Sequence, residues 1–92
     1  MKTASAIASR ARCRVFGITP QQYEKMFHEQ NGTCFICKKP PGTRRLQIDH
    51  DHDTGKVRRL LCFNCNVGLG YFKENKELLI KATLYIKYEA GK

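Results

Sequence analysis

The sequence predicts a small α+β domain in which a β-hairpin and a following helix are stapled by a cysteine-held zinc ion, with flanking helices. Three observations carry that prediction. Two C-x2-C pairs, Cys34 with Cys37 and Cys62 with Cys65, stand 24 residues apart. Between them an alternating apolar pattern meets a turn and returns, and on both flanks apolar residues recur at helical spacing. At 92 residues the chain is one domain whose thin core calls for a cross-link or a metal.

The elements follow in order. Residues 1–16 carry Lys2, Arg10, Arg12 and Arg14 with no acid, and read as a basic N-terminal arm; residues 17–92 then form the single domain. A helix starts at Thr19 as N-cap, with Pro20 at its first position and Gln22 completing a capping box. Tyr23, Met26 and Phe27 make its apolar stripe, and Asn31-Gly32 ends it through the left-handed conformation. Cys34 to Cys37 is a tight knuckle, and Lys38 to Gly42 a loop. Leu46, Ile48, His50 and His52 share one parity, hence one face of a strand. Asp53-Thr54-Gly55 turns the chain, and Lys56 to Leu61 returns as the second strand. A short helix from Asn64 or Cys65 runs through Asn66, Leu69 and Phe72, weakened by Gly68 and Gly70. Asn75 caps the last helix, where Leu78, Leu79, Ala82, Tyr85 and Ile86 form the expected buried stripe.

Charge narrows the partner. The net charge is +9, with +4 in residues 1–16 and +4 in residues 38–65. Such a balance favours a polyanion, nucleic acid first. No apolar run approaches the ~18 residues of a transmembrane helix, so no membrane partner is expected. The first sixteen residues lack a secretory apolar core, and five cysteines are an odd count for a disulfide framework. The expectation is a reducing cytoplasm with thiolates on zinc; redox dithiols and buried structural cysteines are the alternatives. Four thiolates complete a tetrahedron and leave no open position, so this zinc is structural. Cys13 has no partner nearby in sequence and reads as a bystander.

Inside the zinc loop stands Ile48-Asp49-His50-Asp51-His52-Asp53, a dense alternation of carboxylate and imidazole on an otherwise basic chain. Carboxylate and amide oxygens suit Mg²⁺ or Mn²⁺, and a neutral histidine suits proton abstraction from water near pH 7. Phosphodiester hydrolysis needs both. Arg44, Arg45, Lys56, Arg58 and Arg59, with Arg10, Arg12 and Arg14 of the arm, are the candidate grips on a DNA backbone. Asp49 and His50 are neighbours, so both line one site only if the strand ends or kinks there. Asn66, at the start of the next helix, is placed to complete a metal site with Asp49. Asp53, and in part Asp51, read as turn residues.

These residues resemble the recombination endonuclease VII group of phage HNH nucleases. The likeness runs from about Gly17 to Tyr71. It includes Ile18-Thr19 with Tyr23 and Met26, Gln30-Asn31-Gly32, the two knuckles, the Asp-His run, Val57-Arg58, Leu60-Leu61 and Cys65-Asn66. It implies a ββα-metal fold with a zinc-stapled hairpin and helix. By position, it implies that Asp49 and Asn66 bind the catalytic divalent ion, that His50 is the general base and that His52 assists at the phosphate. Cys34, Cys37, Cys62 and Cys65 would hold zinc. A phage-encoded enzyme working in the bacterial cytoplasm on double-stranded or branched DNA is the implied setting. The sequence departs from the founding junction-resolving member in lacking a long further C-terminal region and in carrying Leu69 at an acidic position. The arm and the last helix are candidates for homodimerisation or DNA contact. Two other functions compete: a zinc-ribbon nucleic-acid-binding module without catalysis, and thiol–disulfide exchange.

Overall fold

A computed structural model describes residues 10–89. Six elements follow one another: α1 (Arg10–Val15), α2 (Pro20–Glu29), β1 (Gln47–His50), β2 (Val57–Leu61), α3 (Phe63–Tyr71) and α4 (Lys76–Glu89). The strands form one antiparallel two-stranded sheet, and the chain is of the expected small α+β class. Residues 1–9 of the basic arm and 90–92 lie outside the described part, as does the side chain of Arg10.

The capping box at α2 forms as its residue types dictate. The Gln22 N–H donates to Thr19 Oγ1 at 3.0 Å, and the Thr19 N–H donates to Gln22 Oε1 at 2.7 Å. One turn on, Tyr23 is fully buried. Its hydroxyl donates to the Leu46 carbonyl at 2.6 Å, and burial pushes its pKa up to about 12. The helix ends through Asn31 (φ 56°) and Gly32 (φ 71°). A Cβ on Gly32 would stand 3.2 Å from the Phe27 ring, so backbone conformation and close approach both call for glycine there.

The core consists of Cys13, Tyr23, Cys34, Leu46, Ile48, Leu60 and Leu61, with Phe16, Ile18, Met26, Phe27 and Leu69 among the partly buried side chains packed on it. Cys13 belongs to the segment read as an arm, yet it has no exposed surface. The Phe16 and Ile18 N–H groups both donate to its carbonyl. Residues 10–16 are therefore part of the packed body, because a small apolar thiol at Cys13 fills a site that a solvated arm would leave empty.

Gln30 takes the place of a missing third strand. Buried to 8% exposure, it accepts the Leu60 N–H at Oε1 and donates from Nε2 to the Leu60 carbonyl, both at 2.9 Å. A second donation reaches the Thr33 carbonyl at 2.8 Å. Edge groups of β2 that water cannot reach are thus paired by one amide side chain.

Two expectations need correction. The first concerns β1, where alternation of side chains does not carry over to alternation of burial: Asp49, beside the core residue Ile48, is buried as well. The register pairs Ile48 with Leu60 but His50 with Val57, so Arg58 and Arg59 together oppose the single residue Asp49. This is a β-bulge, which bends the strand and re-aims its side chains. Nor does α4 bury the expected stripe. Leu78, Tyr85 and Ile86 are 43%, 70% and 64% exposed, and no residue of α4 is buried. The Asn75 cap forms, with the Leu78 N–H donating to its Oδ1 at 3.0 Å. Periodicity gave the helix correctly; the buried core is drawn from α1, α2, the first knuckle, Leu46 and the two strands, and α4 contributes no residue to it.

Replacing Gln30 by Leu keeps the volume but leaves the buried Leu60 N–H without an acceptor. The expected loss is about 1–3 kcal/mol of unfolding free energy, read from urea unfolding of the zinc-loaded protein.

Candidate functional site

Two clusters stand on opposite ends of the hairpin strands. The first is the cysteine cluster. Cys34 and Cys37 sit in the loop after α2, Cys62 is the N-cap of α3 and Cys65 lies in its first turn. Their four sulfurs lie within 4.8 Å of one another. Cys37 Sγ and Cys62 Sγ are 3.8 Å apart, and a tetrahedron with ~2.3 Å zinc–sulfur bonds has sulfur–sulfur edges of ~3.8 Å. Backbone N–H groups of Ile36 and Cys65 point at Cys34 Sγ and Cys62 Sγ, each at 3.4 Å. Burial pushes the Cys34 thiol up, but backbone donors at its sulfur outweigh that and bring it down to about 6. Cys65 is pushed up to about 12 by burial and by the sulfurs crowded against it. Sulfurs this close cannot all be thiolates without a cation between them, and donor type, number and spacing fit zinc. Cys13 is apart from the cluster, buried, its thiol raised by burial.

The second cluster gathers around Asp49. Its carboxylate is gripped by Arg58 in a two-pronged ion pair, Nε to Oδ2 at 2.6 Å and Nη2 to Oδ1 at 3.0 Å. Arg58 stands across from Asp49, next after the His50–Val57 pair. The same Nη2 donates to Glu74 Oε1 at 2.9 Å, and Glu74 Oε2 meets His52 Nε2 at 2.9 Å. The His52 ring lies 4.8 Å from the His50 ring at an interplanar angle of 15°, and Phe16 stands 4.9 Å from His50 on the tilt. The ring contacts of His50 are thus Phe16, at the end of α1, and His52.

The remaining candidates divide. Asn66, one turn into α3, donates from Nδ2 to Gln47 Oε1 at 2.8 Å. It lines a cleft of about 210 Å³ with Arg12, Phe16, Gln47 and Ile48. A larger cleft of about 420 Å³ lies beside the cysteines, lined by Pro40, Pro41, Arg44 and Phe63 among others, and includes none of Asp49, His50 and Asn66. Asp51 is a turn residue: its Oδ1 accepts the N–H groups of Asp53 at 2.8 Å and Thr54 at 3.0 Å, which hold its carboxyl below the usual carboxylate range. Asp53 and Lys56 are exposed in the same turn. Among the basic candidates, Arg44 lies over the Phe63 ring at 4.0 Å and Arg59 over Phe35 at 5.1 Å. Arg45, Arg12 and Arg14 are exposed. Arg58 has its guanidinium committed to two carboxylates, which hold it deeper in its protonated range.

Glu74 was missed by sequence reasoning. It lies beyond both knuckles, in the turn between α3 and α4, and no spacing rule ties it to the Asp-His run. Leu69, at the position noted as acidic elsewhere, packs against the core.

Four cysteines placed to hold a metal ion, joined through one hairpin to an imidazole–carboxylate network, define a small α+β domain with a polar site across from the bulge in β2. The sequence carries the assignment further. The profile of the recombination endonuclease VII family matches residues 9–88, and the chain belongs to that family. It is 43% identical over 74 residues to the Gene 59 protein of Mycobacterium phage D29, covering 78% of this chain and 45% of that protein. It is 41% identical over 73 residues to the Gene 59 protein of Mycobacterium phage L5, covering 77% and 44% respectively. The chain thus spans less than half the length of these relatives. No solved structure matches it. Among the described residues no helix is long and apolar enough to cross a membrane.

Cys62→Ser removes a sulfur that is both ligand and N-cap of α3. The variant is expected to drop from about one bound zinc per chain to a trace, with loss of the cooperative melting transition. Metal analysis after gel filtration and circular dichroism check this.

Proposed function

We propose that the chain is a divalent-metal-dependent DNA endonuclease of the HNH type, hydrolysing phosphodiester bonds in double-stranded or branched DNA. The observation that carries this reading is that His50 stands next in the strand to the buried carboxylate of Asp49, across from the bulge in β2, in a chain of the endonuclease VII family. Family membership implies a nuclease and a DNA substrate, and the phage relatives support a phage-encoded protein working in the cytoplasm of a bacterial host.

Asp49 and Asn66 are the residues to hold Mg²⁺ or Mn²⁺. Their donor chemistry fits: a carboxylate offers about four lone-pair sites, of which Arg58 engages two. Asn66 uses its Nδ2 on Gln47, which leaves Oδ1 as a hard oxygen donor. When bound, such a cation supplies Lewis-acid stabilisation of the charge that develops on the phosphate and the leaving oxygen. His50 takes a proton from water as its oxygen bonds to phosphorus and the P–O3′ bond breaks, leaving 5′-phosphate and 3′-hydroxyl ends. His52 assists at the phosphate. Arg44, Arg45, Lys56 and Arg59, with Arg10, Arg12 and Arg14, hold the DNA backbone. Arg58 acts differently, offsetting the Asp49 charge that would otherwise repel DNA. Cuts in both strands need two such sites, which a homodimer supplies.

One observation favours the second reading, a zinc-stapled nucleic-acid-binding module without catalysis. With Arg58 on Asp49 and Asp51 capping its own turn, two of the three aspartates have structural partners and need no metal.

The readings separate in a Mg²⁺ assay on supercoiled plasmid and a synthetic four-way junction. His50→Ala is expected to lower cleavage by ~10²–10⁴-fold with zinc content and melting unchanged. A folded His50→Ala protein that cuts like the parent removes His50 from the mechanism. A parent protein that shifts DNA in a gel but cuts neither substrate with Mg²⁺ or Mn²⁺ establishes the binding module.

A further inference from the structure

We propose that Glu74 is a positioning residue of the nuclease site, acting on His50 through His52 and on Asp49 through Arg58; the proposal rests on the nuclease reading above. Each Glu74 oxygen serves a different partner, Oε1 the guanidinium of Arg58 and Oε2 the His52 ring, both at 2.9 Å. The side chain is only 22% exposed, whereas His52 is 68% exposed. An imidazole so open to solvent has little packing to choose its rotamer. Its ring contact with His50 and its bond to Glu74 are what hold it. A carboxylate only accepts, so this bond also keeps a proton on His52 Nε2 and leaves Nδ1 as the other nitrogen.

The backbone is built to present this carboxylate. Lys73 (φ 53°) and Glu74 (φ 54°) are consecutive non-glycine residues in the left-handed region, a conformation that persists only where surrounding contacts over-determine it. Three backbone bonds close the turn: Lys73 N–H to the Gly70 carbonyl, Glu74 N–H to the Leu69 carbonyl, both at 2.8 Å, and Asn75 N–H to Phe72 at 2.9 Å. The result is a relay of side-chain contacts from Asp49 to Arg58 to Glu74 to His52. It ends on a ring stacked against His50. Removing Glu74 frees both arms at once: His52 is left to rotate off His50, and Arg58 keeps Asp49 as its sole carboxylate partner among the bonds described.

The test compares Glu74→Ala and Glu74→Gln with the parent, using Glu77→Ala on the exposed first turn of α4 as a control. Gln keeps the shape and one acceptor oxygen, Ala neither. The expected order of kcat on plasmid DNA is parent, Gln, Ala, with Ala lowered by ~10–100-fold and KM within about twofold. Zinc content and Tm stay those of the parent. Independently of cleavage, nuclear Overhauser contacts between the His52 and His50 rings in the DNA-free protein are expected to be strong in the parent and to weaken sharply in Glu74→Ala. Parent-like kcat together with parent-like His52–His50 contacts in Glu74→Ala overturns the proposal. So does a fall in kcat accompanied by lost zinc and lowered Tm in both variants, which makes Glu74 a structural residue. If the parent protein itself cuts no DNA, the nuclease reading fails, while the His52–His50 contacts still decide whether Glu74 holds that ring.

Discussion

Four sulfurs converging from two knuckles are the constraint on which the rest of the chain depends. They tie the loop after α2 to the N-terminus of α3, and everything between Cys37 and Cys62 is held as one closed loop. A two-stranded sheet is marginal in water by itself. Here it is bounded by the thiolate cluster, capped at Leu60 by Gln30 and packed on Tyr23. Cys62 illustrates the economy of the arrangement, since its sulfur closes the cluster and accepts the Cys65 N–H at the start of α3. With seven buried apolar side chains in the core among the described residues, four converging sulfurs that fit zinc are what let so thin a core keep a polar site in a defined geometry.

The bulge in β2 connects that scaffold to the chemistry. Alternation along β1 sends Ile48 and Asp49 to opposite sides, and Arg58 and Arg59 both stand across from Asp49. Both neighbours are buried, Ile48 in apolar packing and Asp49 under the Arg58 guanidinium. Burying a carboxylate without such a partner is costly. The arginine therefore stabilises the fold and sets the electrostatic condition of the site together. It also changes what the cluster of acids means: Asp49 is a paired buried charge and Asp51 a turn cap.

α4 shows the limit of periodicity as evidence. The stripe of Leu78, Leu79, Ala82, Tyr85 and Ile86 identifies a helix correctly but says nothing about what covers it. In this chain the apolar positions of α4 are largely exposed.

Local rules made much of the fold and part of the site legible in the amino-acid order. The capping box at Thr19, the Asn31-Gly32 stop, the Asp53-Thr54-Gly55 turn and the Asn75 cap each depend on contacts within a few residues. The knuckle spacing likewise announces a four-thiolate cluster, because each C-x2-C pair is a local unit. Tertiary structure alone decided the rest. The bulge depends on which residues of two separate strands pair, and Cys13 lies in the core because α1 folds back beside α2. Glu74 meets His52 and Arg58 only after a turn 16 residues beyond Arg58 has brought it there. Short-range hydrogen bonding and side-chain period are written in sequence, whereas register, burial and long-range charge pairing exist only once distant segments share one space.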